Sequence, residues 1–497
     1  MSEIGDIATL EAENIQLRHR AEQAEQKVAR LEHERAELKR LIFGSKSERF
    51  IAEQHPEQLT LFEEAPAVEF PRQEQVAAHS RKRRKPVRQA LPEHLPRQVI
   101  VIEPAVDRTD LKKIGEEVTE TLDYRPAKLV VIRRVRPKYV DPKTIGDGLS
   151  PKVLIAELPA RPIDKGIAEA GLLASVVVEK YVDHLPIYRQ VQRFKREGIP
   201  LARSTLEGWV AAVAHLLEPL HERLCELILQ SGYIQADETP IPVQDHGAKK
   251  KGKTHRGYYW VYHAPDERWP GGLVALDYQR GRSRDGPVAF LHDYRGALQS
   301  DGYKGYDGFE EQLTMYNCWA HARRYFFDAR DNQAKLAEHA LMEIRWLYEI
   351  ERELKGASHD ERERVRQKKA VPILDRFKSW LGQNRGLPKS PWGKAVSYTL
   401  GRWDKLTNYV EDGRIEIDNN LVENAIRPIA LGRKNYLFAG SHEAAQRAAV
   451  IYSLLATCKK HEVNPYEWLR DVLARIPTHP HKQIDELLPH IWKKSKG

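Results

Sequence analysis

Cysteine is nearly missing from this sequence. Only Cys225, Cys318 and Cys458 occur in 497 residues, far apart. An odd, sparse set builds no disulfide framework, and without a CxxC pair nothing points to a thiolate zinc site. A reducing compartment is the natural setting. Long apolar runs are missing as well. No stretch approaches the roughly 18 apolar residues of a membrane span, and the N-terminal region is too charged for a secretory signal. Nor does one sign of charge dominate: 80 Lys and Arg face 71 Asp and Glu, leaving +9. That small excess favours an anionic partner such as nucleic acid only weakly. A soluble chain is expected, cytoplasmic and associated with the nucleoid.

What is present is organised in blocks, and the length suggests about three or four units. Residues 1–50 carry a heptad whose a and d positions are Ile7, Leu10, Asn14, Leu17, Ala21, Ala24, Val28, Leu31, Arg35, Leu38 and Ile42. Such a repeat argues for a coiled coil and hence self-association, with one long solvated helix as the alternative. Residues 51–98 read as a flexible basic linker containing Arg81, Lys82, Arg83, Arg84 and Lys85, a run able to grip phosphates. Residues 99–150 form a small β-rich module, with strands expected at 98–103 and 128–135. Residues 160–230 are helical. Within them, a helix over 186–197, a Gly-Ile-Pro-Leu break at 198–201 and a helix capped by Ser204 or Thr205 make a helix-turn-helix candidate. Arg203, Ser204 and Thr205 would then begin the helix that meets DNA. An ordinary helical hairpin has the same pattern.

From 233 the period switches to strands. Residues 233–243, 257–264 and 273–278 are three successive strands, followed by a helix over 284–294. A fourth strand, 297–300, and a fifth from 314 complete the set. This order matches an α/β, ribonuclease-H-like core in which strands one and four are neighbours. Asp237 stands in the first strand and Asp301 just after the fourth. On adjacent strands the two carboxylates would project to one side of the sheet and share cations. A third is expected from a helix that Asp418 or Asn419 can cap. There Val422, Ala425, Ile426 and Ile429 supply an apolar face, while Asn420, Glu423 and Arg427 share the polar one. An exposed Glu423–Arg427 ion pair is the plainer reading of that face. Three carboxylates suit phosphodiester chemistry, because two magnesium ions held by oxygen ligands can activate a water or 3′-hydroxyl and stabilise the leaving oxygen.

The motifs are Tyr233-Ile234-Gln235-Ala236-Asp237-Glu238-Thr239-Pro240, Ser300-Asp301-Gly302-Tyr303 and Cys318-Trp319-Ala320-His321-Ala322-Arg323-Arg324. They continue through Ile417-Asp418-Asn419-Asn420-Leu421-Val422-Glu423-Asn424-Ala425-Ile426-Arg427-Pro428. With these blocks the chain resembles the transposases of the IS66 family over most of its length. The resemblance implies a DDE-type site of Asp237, Asp301 and Glu423 with Mg²⁺ or Mn²⁺, acting by strand cleavage and transfer at the terminal inverted repeats of an insertion sequence. Double-stranded DNA is the expected partner, with a homo-oligomer of at least two copies and accessory proteins of the same element. His321, Arg323, Arg324, Arg427, Arg433 and Lys434 are further candidates for contact with DNA.

In this scheme residues 231–329 are the first part of the core and 330–411 a helical insertion. Residues 412–441 complete the core with the catalytic Glu, and 442–497 form a C-terminal helical segment. Where the family carries a cysteine-based zinc module, residues 102–115 contain no cysteine, so no zinc is expected. Two alternatives stay open: another ribonuclease-H-like nuclease, or a DNA-binding protein derived from a transposase with impaired catalysis.

Overall fold

The computed structural model describes Leu91, Glu93 and residues 95–104, 112–125, 128–140, 153–244 and 254–492. The heptad segment and the basic run at 81–85 lie outside the described residues.

The first sheet is built from β1 (Arg97–Val101), β2 (Lys112–Arg125), β3 (Lys128–Val140) and β4 (Val153–Ile155). β3 is central: β2 runs antiparallel along one edge, while β1 (parallel) and β4 (antiparallel) share the other. β2 was not foreseen, because its Glu- and Thr-rich sequence lacks apolar alternation. Cross-strand ion pairs hold it instead, among them Arg97–Glu120 at 3.2 Å and Arg136–Glu117 at 2.5 Å. Leu122, Leu129 and Val131 turn inward to the helices that follow.

Those helices are α1 (Ala170–Tyr181), α2 (Ile187–Arg196) and α3 (Arg203–Leu229). Gly198 takes φ +78 between α2 and α3, where a side chain would be strained. The residue preceding α3 is Ala202, whose methyl accepts no hydrogen bond. Ser204 and Thr205 therefore do not cap this helix, as had been expected; they lie inside its first turn. Leu206, Trp209, Val210, Val213, Leu217, Leu220 and Leu224 recur at helical spacing and are buried.

The second sheet comprises β5 (Tyr233–Gln244), β6 (Thr254–Asp266), β7 (Trp269–Gln279), β8 (Ala297–Ser300) and β9 (Thr314–Asn317) in the order β7-β6-β5-β8-β9. β5, β8 and β9 are parallel, and β6 is antiparallel to both its neighbours. The first and fourth strands of this region are thus adjacent, as the motif spacing requires. α4 (Asp285–Leu291) crosses from β7 to β8, and α5 (Trp319–Asp328) follows β9.

Four helices come next: α6 (Ala334–Glu353), α7 (His359–Gln383), α8 (Pro391–Leu400) and α9 (Trp403–Thr407). Their aromatic core of Phe377, Trp392 and Trp403 joins Trp319 and Phe326 of α5 and is separate from the core beneath the rest of the second sheet. Arg366 is fully buried in it. Its guanidinium donates to Glu351 at 2.7 and 2.9 Å and to the carbonyls of Tyr409, Asp412 and Ile415. One side chain thereby holds the segment leading back to the sheet.

The chain closes with α10 (Asn420–Tyr436), α11 (His442–Lys460) and α12 (Pro465–Arg475). α11 covers the outer edge of β7. Leu276 N–H donates to Ser453 Oγ at 2.8 Å and Val274 N–H to Thr457 Oγ1 at 3.3 Å, so that edge offers no free ladder. No helix among the described residues is long and apolar enough to cross a membrane.

Candidate active site

The parallel pairing of β5 with β8 joins Tyr233 to Ala297, Ile234 to Leu298 and Gln235 to Gln299, an offset of 64 positions. The same offset separates Asp237, within β5, from Asp301, in the turn just after β8, so the two aspartates follow the register two residues past its last pair. Asp237 accepts from Glu238 N–H at 2.8 Å, and Asp301 accepts from Tyr303 N–H at 2.8 Å. Gly302 follows Asp301 at φ +85, with Arg402 Nε in the space a Cβ would take. α8 and the residue before α9 grip this turn: Tyr398 OH donates to the Asp301 carbonyl at 2.6 Å and Arg402 to that of Gly302 at 2.9 Å.

The third carboxylate is brought in by two buried amides. Gln235 donates to the carbonyl of Asp418 at 2.9 Å, and its side-chain oxygen accepts from Val422 N–H at 3.2 Å. Gln299 donates to the carbonyl of Glu416 at 2.7 Å. The helix N-terminus of α10, with its unsatisfied N–H groups, is therefore capped in part from the sheet. Asp418, one of the two residues foreseen as a cap, contributes from the position before the cap: its carboxylate accepts from Asn420 N–H at 3.1 Å and is held by Tyr348 OH at 2.9 Å. Asn419, the other, stands at the cap position and makes no side-chain bond to the helix. Glu423 sits in the first turn, half-buried, with His321 Nδ1 3.9 Å from its carboxylate. No Glu423–Arg427 ion pair forms, and Arg427 is exposed.

Charge accumulates here. Burial, then Glu238 and Asp301, and more weakly Glu423, raise Asp237 to about 8, against the opposing Glu238 N–H bond. Burial and Asp301 raise Glu238 to about 7, although Arg282 pairs with it. Burial outweighs that ion pair. As the side chains stand, no three His, Cys, Asp or Glu among the described residues are grouped to hold a metal ion. The three carboxylates share an electrostatic site, and their hard oxygen donors fit magnesium or manganese.

Glu238, Arg282, Gln235 and Gln299 were not anticipated. Arg282 bonds Glu238, lies 3.7 Å over the Tyr303 ring and accepts the Tyr303 hydroxyl proton at its carbonyl. The two glutamines were open to discovery, being amides at the same offset as the aspartates in strands otherwise apolar. Of the residues expected at DNA, Arg203, Ser204, Arg323, Arg324, Arg427 and Lys434 are exposed, and Thr205 is half-buried. Arg433 is turned inward to the carbonyl of Pro240. Cys318 is fully buried, its Sγ accepting from Asn419 N–H.

Comparison with known proteins shows which family the chain is similar to. The family model described as "Transposase IS66 family" matches residues 165–447, and the "IS66 C-terminal element" matches 453–490. Residues 30–100 match "Transposase C of IS166 homeodomain". Three proteins of Sinorhizobium fredii (strain NBRC 101917 / NGR234), each described as uncharacterized, are similar. They are y4hP (36% identical, covering 84% of this chain and 78% of that protein), y4jD (35%, 96% and 97%) and y4qI (34%, 98% and 93%).

One expectation is corrected. Residues 107–140 match the "zinc-finger binding domain of transposase IS66", which overturns the view that zinc has no place here. Reading ligand residues alone overlooked the hairpin of β2 and β3, which falls within the match. The stretch itself contains neither cysteine nor histidine. Its own side chains do not fit the thiolate and imidazole ligation of structural zinc, and no step below is routed through that metal. By the length of chain matched, this protein belongs to the IS66 transposase family.

Proposed function

We propose that the chain cleaves and joins DNA strands at the terminal inverted repeats of a mobile element, using Asp237, Asp301 and Glu423 as metal-binding carboxylates on a ribonuclease-H-like core. The observation that carries this reading is the 64-position offset: the register of β5 on β8 pairs residues at that spacing, and Asp237 and Asp301 keep it just past the last pair, with Asp301 and Glu423 both acting on Asp237. The strand order β7-β6-β5-β8-β9 supports the core assignment.

The three carboxylates would hold the magnesium or manganese, which when bound neutralises charge on the phosphate and activates a water or 3′-hydroxyl. The remaining work is positional. Tyr398 and Arg402 fix the Asp301 turn, Gln235 and Gln299 fix the entry to α10, and His321 borders Glu423. Arg323, Arg324, Arg427 and Lys434 are exposed and carry no ion pair among the described residues, which suits phosphate contacts. Arg203, Ser204 and Thr205 at the start of α3 are the candidate base-reading positions, and a dimer or larger assembly would bring two DNA ends together.

The test is cleavage of labelled DNA carrying the element's own ends, with and without Mg²⁺, by the wild-type protein and by Asp237→Asn. Metal-dependent cuts at the element boundary, absent from the variant, are expected. Cuts of equal rate in the variant would overturn the assignment.

A further inference from the structure

Away from the carboxylates, a groove of about 640 Å³ opens between the start of α3, the turn before α2 and the chain that follows α10. Three of its lining side chains are large, apolar in part and exposed: Tyr188 at 51%, Leu437 at 63% and Phe438 at 37%. Leu437 is held at φ +62, a conformation that L side chains rarely adopt. The polar lining is cationic. Lys180 lies 5.1 Å from the Tyr181 ring and 5.7 Å from the Tyr436 ring, and neither Lys180 nor Arg447 has an ion pair among the described residues. Arg203 is paired with Glu207, the single carboxylate in the lining. Burial lowers Lys180 to about 8, more than the charge of nearby Glu207 restores, the mark of a cation drawn from water without a contacting counterion.

Aromatic faces beside cations in excess over the one carboxylate are what an unpaired nucleotide requires: a platform for the base and a charge for the phosphate. A cavity of this size takes a small-molecule-sized guest. It also lies in line with the carboxylates. Glu423 stands in the first turn of α10 and Tyr436 at its end, so about 20 Å of helix separates them. The exposed Arg427 and Lys434 lie between. At 3.4 Å per nucleotide of one strand, that path spans about six nucleotides.

We infer that this groove binds an unpaired nucleotide of the DNA strand lying along α10, with Tyr188 and Phe438 stacking on the base and Lys180 and Arg447 holding its phosphate. The inference rests on the chain acting on DNA but not on the carboxylate chemistry.

The experiment is fluorescence anisotropy of the full chain, in EDTA, with a labelled oligothymidylate of about eight nucleotides and with a blunt hairpin duplex. Tyr188→Ala and Phe438→Ala should each weaken oligothymidylate binding about 5- to 100-fold, as loss of one stacked base predicts, and weaken duplex binding much less. Tyr188→Phe and Phe438→Tyr should keep the affinity, and Arg447→Ala should lower the salt slope by about one. Unchanged melting curves would show that the variants fold. Oligothymidylate binding equal to wild type in both alanine variants overturns the inference. So does a change confined to sedimentation behaviour, which would make the groove a protein interface. Cleavage of element ends is measured separately. Failure of Asp237→Asn to abolish it refutes the carboxylate reading and leaves the groove result standing.

Discussion

Gln235 and Val422 are 187 positions apart, yet the side-chain oxygen of the first accepts the backbone N–H of the second at 3.2 Å. This bond sets where α10 begins, and one residue later comes Glu423. The third carboxylate is placed by an amide in the middle of the sheet.

Replacing that amide should therefore disturb the site without touching a carboxylate. Gln235→Leu leaves the Asp418 carbonyl without its side-chain donor and Val422 N–H with only its bond to the Asn419 carbonyl, at a cost of about 1–3 kcal/mol. The urea midpoint should fall, and cleavage should fall further than DNA binding. Full activity in Gln235→Leu would show that Glu423 is held by something else.

Asp237→Asn is expected to trade activity for stability. The buried carboxylate is opposed by Glu238, Asp301 and Glu423, and a neutral amide removes that repulsion. Melting in EDTA should rise by a few degrees, roughly 1–2 kcal/mol, while Mg²⁺ raises the melting temperature of the wild type and leaves the variant unmoved. A lower melting temperature for the variant in EDTA would mean that the carboxylate is not under strain.

Arg366→Met should cost about 3–5 kcal/mol, because it leaves Glu351 only the more distant Arg362 at 3.6 Å and takes a buried donor from three carbonyls in the core formed by α6 to α9. Since the freed segment, 409–416, leads to α10, cleavage should drop with stability. Equal denaturation curves for variant and wild type would remove Arg366 from this role.

Acid should weaken the fold through His263. Burial first, and the charge of Lys460 next, lower this imidazole from 6.5 to about 3. Between those values the unfolded chain binds the proton and the folded chain does not, so stability rises with pH across the window and is lost as pH falls below about 6.5. The slope from this one group approaches 1.4 kcal/mol per pH unit. His263→Gln should flatten the fall in the urea midpoint between pH 6.5 and 4.5, and an unaltered slope would count against it.

Much was legible in the sequence because it is local. The switch from helical to strand period at Tyr233, the five strand segments of the second sheet and the apolar face of α10 follow from side-chain spacing along a few residues. Asp237 and Asp301 stood out because each marks a comparable place in its own strand. β2 escaped notice since its ladder to β3 and the ion pairs of its glutamates with Arg136 of β3 and Arg97 of β1 lie outside any pattern within its own fourteen residues. The cap of α3 was misplaced for a similar reason: Ser204 and Thr205 have the right chemistry, but the backbone enters the helix at Arg203.

What only the tertiary structure decided is which distant groups meet. Burial leaves polar atoms no water, so each must find its partner wherever the fold brings one. That need joins Gln235 to α10, ties Tyr398 to the Asp301 turn across 97 positions and brings Glu238 onto Arg282. Sequence determined the residues able to do the chemistry and the elements that carry them. Packing decided their neighbours, and with them the raised proton affinity of Asp237 and Glu238.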